Sequence, residues 1–346
     1  LWWQTTTIYQ IYPRSYQDSN CDGIGDLQGI LQRLDHIQEL GFETIWLSPF
    51  FNSPQADWGY DISGYREIAP EYGTLADAER LIEEIHSRGM KVIFDLVMNH
   101  TSDKHPWFLE SSSSKDNPRS DWYIWRDGKS ENKPPNNWKA MPGGSGWHYS
   151  PTRDQWYYAS FLPFQPDLNF RNPEVKQEMF QIAKFWLEKG VDGFRLDIFH
   201  AIFKADHFQD NPFHWSFIPK DDKYGFFTEW KHTVNQPETI ELAHEMRQVL
   251  DSFQPERFMI GEIFAEDAII KEYLGSEGDG MHAVFTWDMM DFSFKADFFW
   301  QALSHYEKWY PEPFRPILVL GNHDSKRWIE RVRGNLAKAK LITLLQ

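Results

Sequence analysis

The sequence predicts an α/β fold of parallel strands, and three observations predict it. Short apolar runs alternate with longer runs whose apolar residues recur every three or four positions. The longer runs close on glycine, as at Gly89 and Gly190. Polar and charged residues collect at the C-terminal ends of the short runs, the end where parallel α/β folds carry their chemistry.

The elements follow in order. Ile8–Tyr12 reads as a strand, and Leu27–Leu40 as one amphipathic helix with Leu27, Ile30, Leu31, Leu34 and Ile37 on its apolar face. Thr44–Leu47 is a strand stopped by Pro49, Leu75–Arg88 a helix, and Lys91–Val97 a strongly apolar strand. A polar, Trp-rich insertion, 101–164, comes next. Glu174–Lys189 is a helix opened by Asn172-Pro173. Gly193–Asp197 is a strand, Glu238–Ser252 a helix, Phe258–Glu262 a strand and Ala283–Trp287 a weaker one. Asp297–Trp309 is a helix, Ile317–Leu320 a strand and Ala337–Leu345 a helix. Alternation of this kind builds βαβ units. A (β/α)8 TIM barrel with an insertion after strand three is the expected architecture; strand eight is not in this chain. The expected domains are a barrel domain of 1–100 and 165–346 and the inserted 101–164. A doubly wound open sheet is the alternative, but no glycine-rich phosphate turn follows Ile8–Tyr12.

A chain of 346 residues is long enough for such a barrel. The formal net charge of −16 argues against a nucleic-acid partner. A single cysteine, Cys21, excludes an internal disulfide framework. No apolar run is long enough to span a membrane and no signal peptide is visible, so no membrane partner and a cytoplasmic location are expected. The 17 Trp, 14 Tyr and 27 Phe supply either a large aromatic core or flat faces for sugar rings.

The stretch Asp192–Ile198 concentrates the chemistry. Strand alternation puts Phe194 and Leu196 on one face and Arg195 with Asp197 on the other. An arginine at that distance favours an ionised carboxylate and orients it. An ion pair that only fixes register would look the same. The other strand ends bear on the choice. They carry Asn99-His100, Gly261-Glu262 and His323-Asp324. On a barrel these tips converge, so Asp197, Glu262 and Asp324 would share one cavity with His100, His323 and Arg195. Two carboxyls in different environments are what glycoside hydrolysis needs, one ionised and one protonated.

The blocks Asp95–His100 (DLVMNH), Gln165–Asn169 (QPDLN), Gly193–Asp197 (GFRLD), Gly261–Ile263 (GEI) and Gly321–Asp324 (GNHD) resemble the α-amylase family of retaining glycoside hydrolases. Gln10–Arg14 (QIYPR) and Gly59–Asp61 (GYD) add to the resemblance, which is nearest to the α-glucosidase and oligo-1,6-glucosidase branch. The resemblance implies exo-acting hydrolysis of α-glucosidic bonds in small oligosaccharides through a covalent glycosyl-enzyme intermediate. It implies Asp197 as nucleophile, Glu262 as general acid/base and Asp324 as the acid that grips sugar hydroxyls. Arg195 would hold the nucleophile ionised, and His100 and His323 would bind sugar hydroxyls. Asp57 and Tyr60 would form the glycone pocket, with Phe161 and Gln165 beside them. The 101–164 insertion would be the family's domain B. The family's eighth strand, its C-terminal β-domain and the arginine that partners the Asp57 position would lie beyond Gln346.

The loop Asp18–Asp26 places oxygen-bearing residues at alternate positions around Gly23, as the first nine positions of a calcium loop do. Asp18, Asn20, Asp22 and Asp26 would give side chains, and Ile24 its carbonyl. Gly29 stands where the bidentate glutamate of a sensor loop would be. The resemblance implies that this loop holds a structural Ca²⁺ or Mg²⁺. The other reading is an acidic turn in which Asp26 caps the next helix.

Competing readings stay in view. A transglycosylase or a sucrose or trehalose isomerase would use the same intermediate. A non-catalytic carbohydrate-binding or transporter heavy-chain homologue would have lost some of the acids, whereas all three stand here. Oligomeric state is left open. Ile198, directly after Asp197, either packs against the next helix or borders the aglycone side, where its stiffness at χ1 would favour α-1,6 over α-1,4 linkages.

Overall fold

The computed structural model describes residues 1–130, 133–213, 229–290, 292–314 and 317–345. Seven strands form the main sheet: β1 (Ile8–Ile11), β2 (Thr44–Leu47), β3 (Lys91–Leu96), β4 (Gly193–Leu196), β5 (Phe258–Gly261), β6 (Ala283–Thr286) and β7 (Ile317–Leu318). Each pairs with the next in chain order, and every pair is parallel. These are the strands expected. A doubly wound sheet would reverse its strand order at a switch point; this one does not. The sheet curls as the wall of a (β/α)8 TIM barrel.

The period-two alternation sorts side chains onto two faces. Trp46, Ile93, Phe258, Ile260, Ala283, Phe285 and Val319 form one cluster inside the curl. Ile45, Leu47, Val92, Phe94, Phe194, Leu196 and Met259 point the other way and pack with helix residues such as Ile82, Ile85, Ile182, Trp186 and Met246. Burial on both faces is why these strands read as unbroken apolar runs. Gly193 is required by close packing: a Cβ there would sit 2.0 Å from the Phe258 carbonyl oxygen.

The helices Leu75–Ser87, Pro173–Glu188, Pro237–Asp251, Ala296–Trp309 and Leu336–Leu345 lie where the periodicity predicts them. Thr74 and Asp77 close a reciprocal capping box on the first of these. One expectation needs correction. Leu27–Leu40 is not one helix but two, Leu27–Leu31 and Leu34–Glu39. The Arg33 amide turns back to the Ile30 carbonyl at 2.9 Å, and its guanidinium donates to Gln17 Oε1 at 2.8 Å. Leu27, Ile30, Leu34 and Ile37 stay buried on either side of the break, so the apolar face survives while the axis does not. The helices Pro106–Ser113 and Asp267–Leu274 and the antiparallel pair Phe51–Asn52 with Gly64–Ile68 have weak sequence signals and were not expected.

Within 101–164 an antiparallel sheet joins Trp125–Arg126, Gln155–Tyr158 and Trp147–Ser150. Among the described residues no helix is long and apolar enough to cross a membrane.

Candidate active site

The site is built where β3, β4 and β5 end. Register sets Asp95 on β3 opposite Arg195 on β4, and Arg195 opposite Ile260 on β5. The ladder continues one step past the strands: the Asp197 amide donates to Leu96 O at 3.3 Å and the Glu262 amide to Leu196 O at 3.0 Å. Backbone pairing therefore fixes both carboxyl-bearing residues. Arg195 is buried and spends its guanidinium on three acids. Nη1 donates to Asp95 Oδ1 and Oδ2 at 2.8 and 3.0 Å and to Asp197 Oδ1 at 2.6 Å. Nη2 donates to Glu262 Oε2 at 2.6 Å. The Ile198 amide adds a second donor to Glu262 Oε2 at 3.0 Å.

One guanidinium cannot neutralise three buried carboxylates. Burial pushes Glu262 up to about 7, against the pull of Arg195. Burial raises Asp197 as well, Arg195 opposing it and the Asp95 charge adding to the rise. The Asp197 charge adds to the rise of Glu262, so a proton on Glu262 is favoured near neutrality. Asp95 is raised to about 6 by burial, with Arg195 and the Tyr60 hydroxyl drawing it down.

A second layer positions the histidines and the glycone side. The Tyr60 hydroxyl donates to Asp95 Oδ2 at 3.0 Å and lies 2.9 Å from His323 Nε2. The two rings are parallel, 5.4 Å apart. Burial first, then Arg195 and Arg327, lower His323 to about 3, so its ring is neutral. Asp61 organises the loop before Tyr60: its carboxylate accepts from the Ala56 and Asp57 amides, each at 3.0 Å. Gly59, at φ 109°, lets that loop pass Pro49, whose carbonyl a Cβ would meet at 2.5 Å. Gln165 donates to Asp57 Oδ2 at 2.8 Å, and burial lifts Asp57 to about 6. Asp324 is more open, its side chain 66% exposed, and its amide donates to Asn322 Oδ1 at 3.1 Å.

Asp197, Glu262, Asp324, Asp57, Tyr60, His100, Phe161, Gln165, Arg195 and His323 all line one cavity of about 620 Å³. These are all the catalytic and substrate-binding residues named from the sequence. Asp95 was not among them. Its signal was its place in DLVMNH, but its partnership with Arg195 depends on strand register. The lining residues Tyr12, Trp58, Met141, Phe264 and Arg327 also went unnamed, because ordinary aromatic and loop residues carry no pattern of their own.

The Asp18–Asp26 loop lies away from the cavity. Asp18 Oδ2 accepts from the Gly23 amide at 2.8 Å, and Oδ1 from the Cys21 and Asn20 amides at 2.7 and 3.0 Å. These bonds, the Gly23 one foremost, hold its carboxyl below the usual range. Asn20 Oδ1 accepts from the Asp22 amide at 2.9 Å, and Asp22 Oδ1 from the Ile24 amide at 2.8 Å. Successive turns of this kind occupy the side-chain oxygens with loop amides, though each oxygen keeps a lone pair. Asp26 also caps the Leu27 helix, accepting from the Gly29 amide at 2.6 Å, and takes Ser19 on its other oxygen. The donor set fits Ca²⁺ or Mg²⁺ in chemistry. Among the described residues no group of three or more His, Cys, Asp or Glu side chains is gathered about a metal position.

The family model described as "Alpha amylase, catalytic domain" matches residues 10–346. A probable alpha-glucosidase of Rhizobium meliloti is 42% identical over 358 residues, covering 99% of this chain and 64% of its own length. An oligo-1,6-glucosidase of Heyndrickxia coagulans is 42% identical over 315 residues, covering 90% of this chain and 54% of its own. The solved structure of an alpha-glucosyl transfer enzyme, XgtA, superposes with a TM-score of 0.88 at 40% identity over 97% of this chain and 63% of that one. A trehalose-6-phosphate hydrolase of Bacillus licheniformis superposes at 0.84 and 36% identity, over 96% and 60%. The chain thus spans less than two thirds of the length of these relatives.

Proposed function

The chain belongs to the alpha-amylase catalytic-domain family, and from that premise we propose that it carries the machinery of an exo-acting, retaining α-glucosidase. The observation that carries the reading is the pair Asp197 and Glu262, held by one guanidinium at 2.6 Å each. In this reading the pair's proton sits on Glu262, and Arg195 keeps Asp197 ionised. Glu262 gives its proton to the glycosidic oxygen as the Asp197 carboxylate attacks the anomeric carbon. The aglycone leaves as an alcohol and a glycosyl ester remains on Asp197. Glu262, now a carboxylate, takes a proton from water as that water attacks the same carbon, and the configuration is retained. Asp324, His100 and His323 hold sugar hydroxyls; Asp57, Gln165, Tyr60 and Phe161 close the glycone side. Residues 101–164 serve as a separate inserted domain that walls the cavity through Met141, Pro142 and Phe161.

The structural Ca²⁺ or Mg²⁺ belongs to the proposal. Asp18, Asn20, Asp22 and Asp26 would hold it with the Ile24 carbonyl, and when bound it would supply rigidity rather than reactivity. A cytoplasmic location and a small oligosaccharide substrate complete the reading. A second reading, glucosyl transfer to an alcohol, is favoured by one observation: the cavity lining includes the apolar residues Met141, Pro142, Ile198 and Phe264, which would suit an apolar acceptor and disfavour water.

The test is incubation with maltose, isomaltose, sucrose and trehalose, following the products and the anomer released. Free α-glucose supports hydrolysis, and new glucosides or isomerised disaccharides support transfer. Release of β-glucose would overturn both.

A further inference from the structure

We propose that Lys204 is a positioning residue that places the proton of His100 on Nε2, so that the ring presents an N–H donor to the cavity. The proposal rests on the reading of that cavity as a sugar site. Lys204 follows β4 and its side chain is 1% exposed. Its ammonium is ion-paired with the buried carboxylate of Asp167 and lies 2.9 Å from Asn99 Oδ1. An ammonium only donates, so it must face the oxygen of the Asn99 amide. That turns the amide nitrogen to His100 Nδ1, at 3.2 Å. An amide NH₂ also only donates, so Nδ1 must accept through its lone pair. A neutral imidazole that accepts at Nδ1 carries its hydrogen at Nε2.

The other end of the ring supplies the second observation. His100 is buried and lines the cavity, and its Nε2, itself shielded from solvent, makes no hydrogen bond of good geometry within the protein, although the Tyr60 backbone carbonyl lies close enough to favour a protonated ring. A buried polar atom left so calls for a partner from outside. Burial lowers His100 to about 4, with Asp167 opposing, so the ring is neutral at ordinary pH. The ligand atom this donor suits is an accepting oxygen, such as a pyranose hydroxyl. Asp167 accepts from the Ser160 amide at 2.8 Å, so the relay Asp167–Lys204–Asn99–His100 ties the 101–164 insertion to the donor.

The experiment reads the tautomer directly. The protein is labelled with ¹⁵N-histidine, and two-bond correlations identify the protonated nitrogen of each ring. His100 is assigned by comparison with His100→Gln. The wild type is expected to show Nε2–H at neutral pH. In Asn99→Asp the carboxylate only accepts, so it should face both Lys204 and the ring and draw the proton to Nδ1. Lys204→Met combined with Asp167→Asn, which avoids stranding a buried carboxylate, should release the amide and give a mixture. Lys204→Arg should restore Nε2–H. With an active α-glucoside, Asn99→Asp should raise KM roughly tenfold, the loss of one hydrogen bond, with a smaller change in kcat. Nδ1–H in the wild type, or an unchanged tautomer in Asn99→Asp, would overturn the proposal. If the tautomers behave as stated but no α-glucoside is turned over, the glucosidase reading fails and the Lys204 relay stands.

Discussion

Gln10 Nε2 lies 2.8 Å from His323 Nδ1, although Gln10 is on the first strand of the sheet and His323 follows the last. Only a sheet that curls until its two edges approach each other can make this contact. The bond also sets a direction. Gln10 donates to Nδ1, so the neutral His323 ring carries its hydrogen at Nε2 and offers it to the Tyr60 hydroxyl. Tyr60 donates onward to Asp95, which binds Arg195. A hydrogen-bonded line thus runs from the sheet edges to the guanidinium that holds both candidate catalytic carboxyls.

The first prediction concerns chemistry. A slow fluorinated α-glucosyl donor should leave a covalent sugar on Asp197, visible as added mass on the peptide that contains it, and Asp197→Asn should abolish the adduct. Glu262→Gln should slow turnover by roughly 10²–10⁴, least with substrates whose leaving group needs no proton. An adduct on another residue would rule out the assigned nucleophile.

The second concerns pH. Glu262 moves from 4.5 unfolded to about 7 folded. The native state binds this proton more tightly, so its burial costs stability progressively as pH rises from about 4.5 to about 7. Melting temperature should therefore rise in Glu262→Gln relative to wild type across that window. Activity that needs the protonated acid should fall above about pH 7. A constant difference in melting temperature from pH 4 to 8 would contradict the shift.

The third concerns Asp95. Asp95→Ala leaves the buried Tyr60 hydroxyl and Trp46 indole without their acceptor while Arg195 keeps Asp197 and Glu262, so it should cost about 1–3 kcal/mol in denaturant unfolding. Asp95→Asn should cost less while shifting the pH dependence of Asp197 downward, because the Asp95 charge raises it. An Asp95→Ala variant as stable as wild type would remove Asp95 from the charge network.

The fourth concerns the loop Asp18–Asp26. If it binds Ca²⁺, adding the ion at about 100 times its dissociation constant should stabilise the fold by about 2.7 kcal/mol. A chelator should reverse the gain, and Asp22→Ala should abolish it. A melting temperature indifferent to both would leave the loop as a helix-capping turn.

The fifth concerns Ile198, which lines the cavity with its backbone held at φ 32°. A single apolar contact is worth roughly 10- to 200-fold in selectivity. Ile198→Ala should lower the kcat/KM ratio of isomaltose to maltose within that range. An unchanged ratio would show that Ile198 does not choose the linkage.

The sequence by itself determined the seven parallel strands, because burial on both faces leaves unbroken apolar runs between glycine-closed helices. It also marked the candidate catalytic and sugar-binding residues of the cavity through their motifs, but not the lining residues Tyr12, Trp58, Met141, Phe264 and Arg327. It did not determine the break after Leu31, since Leu34 and Ile37 keep helical spacing across it while a tertiary bond from Arg33 to Gln17 bends the axis. The place of Asp95 was likewise decided only by tertiary structure. Asp95 and Arg195 are one hundred positions apart, and the β3–β4 register alone sets them opposite each other. The proton on His100 was decided the same way, by a lysine and an asparagine brought together from different strand ends. Local periodicity reports which face of an element is buried; partners across elements follow from register and curl, which no single segment encodes.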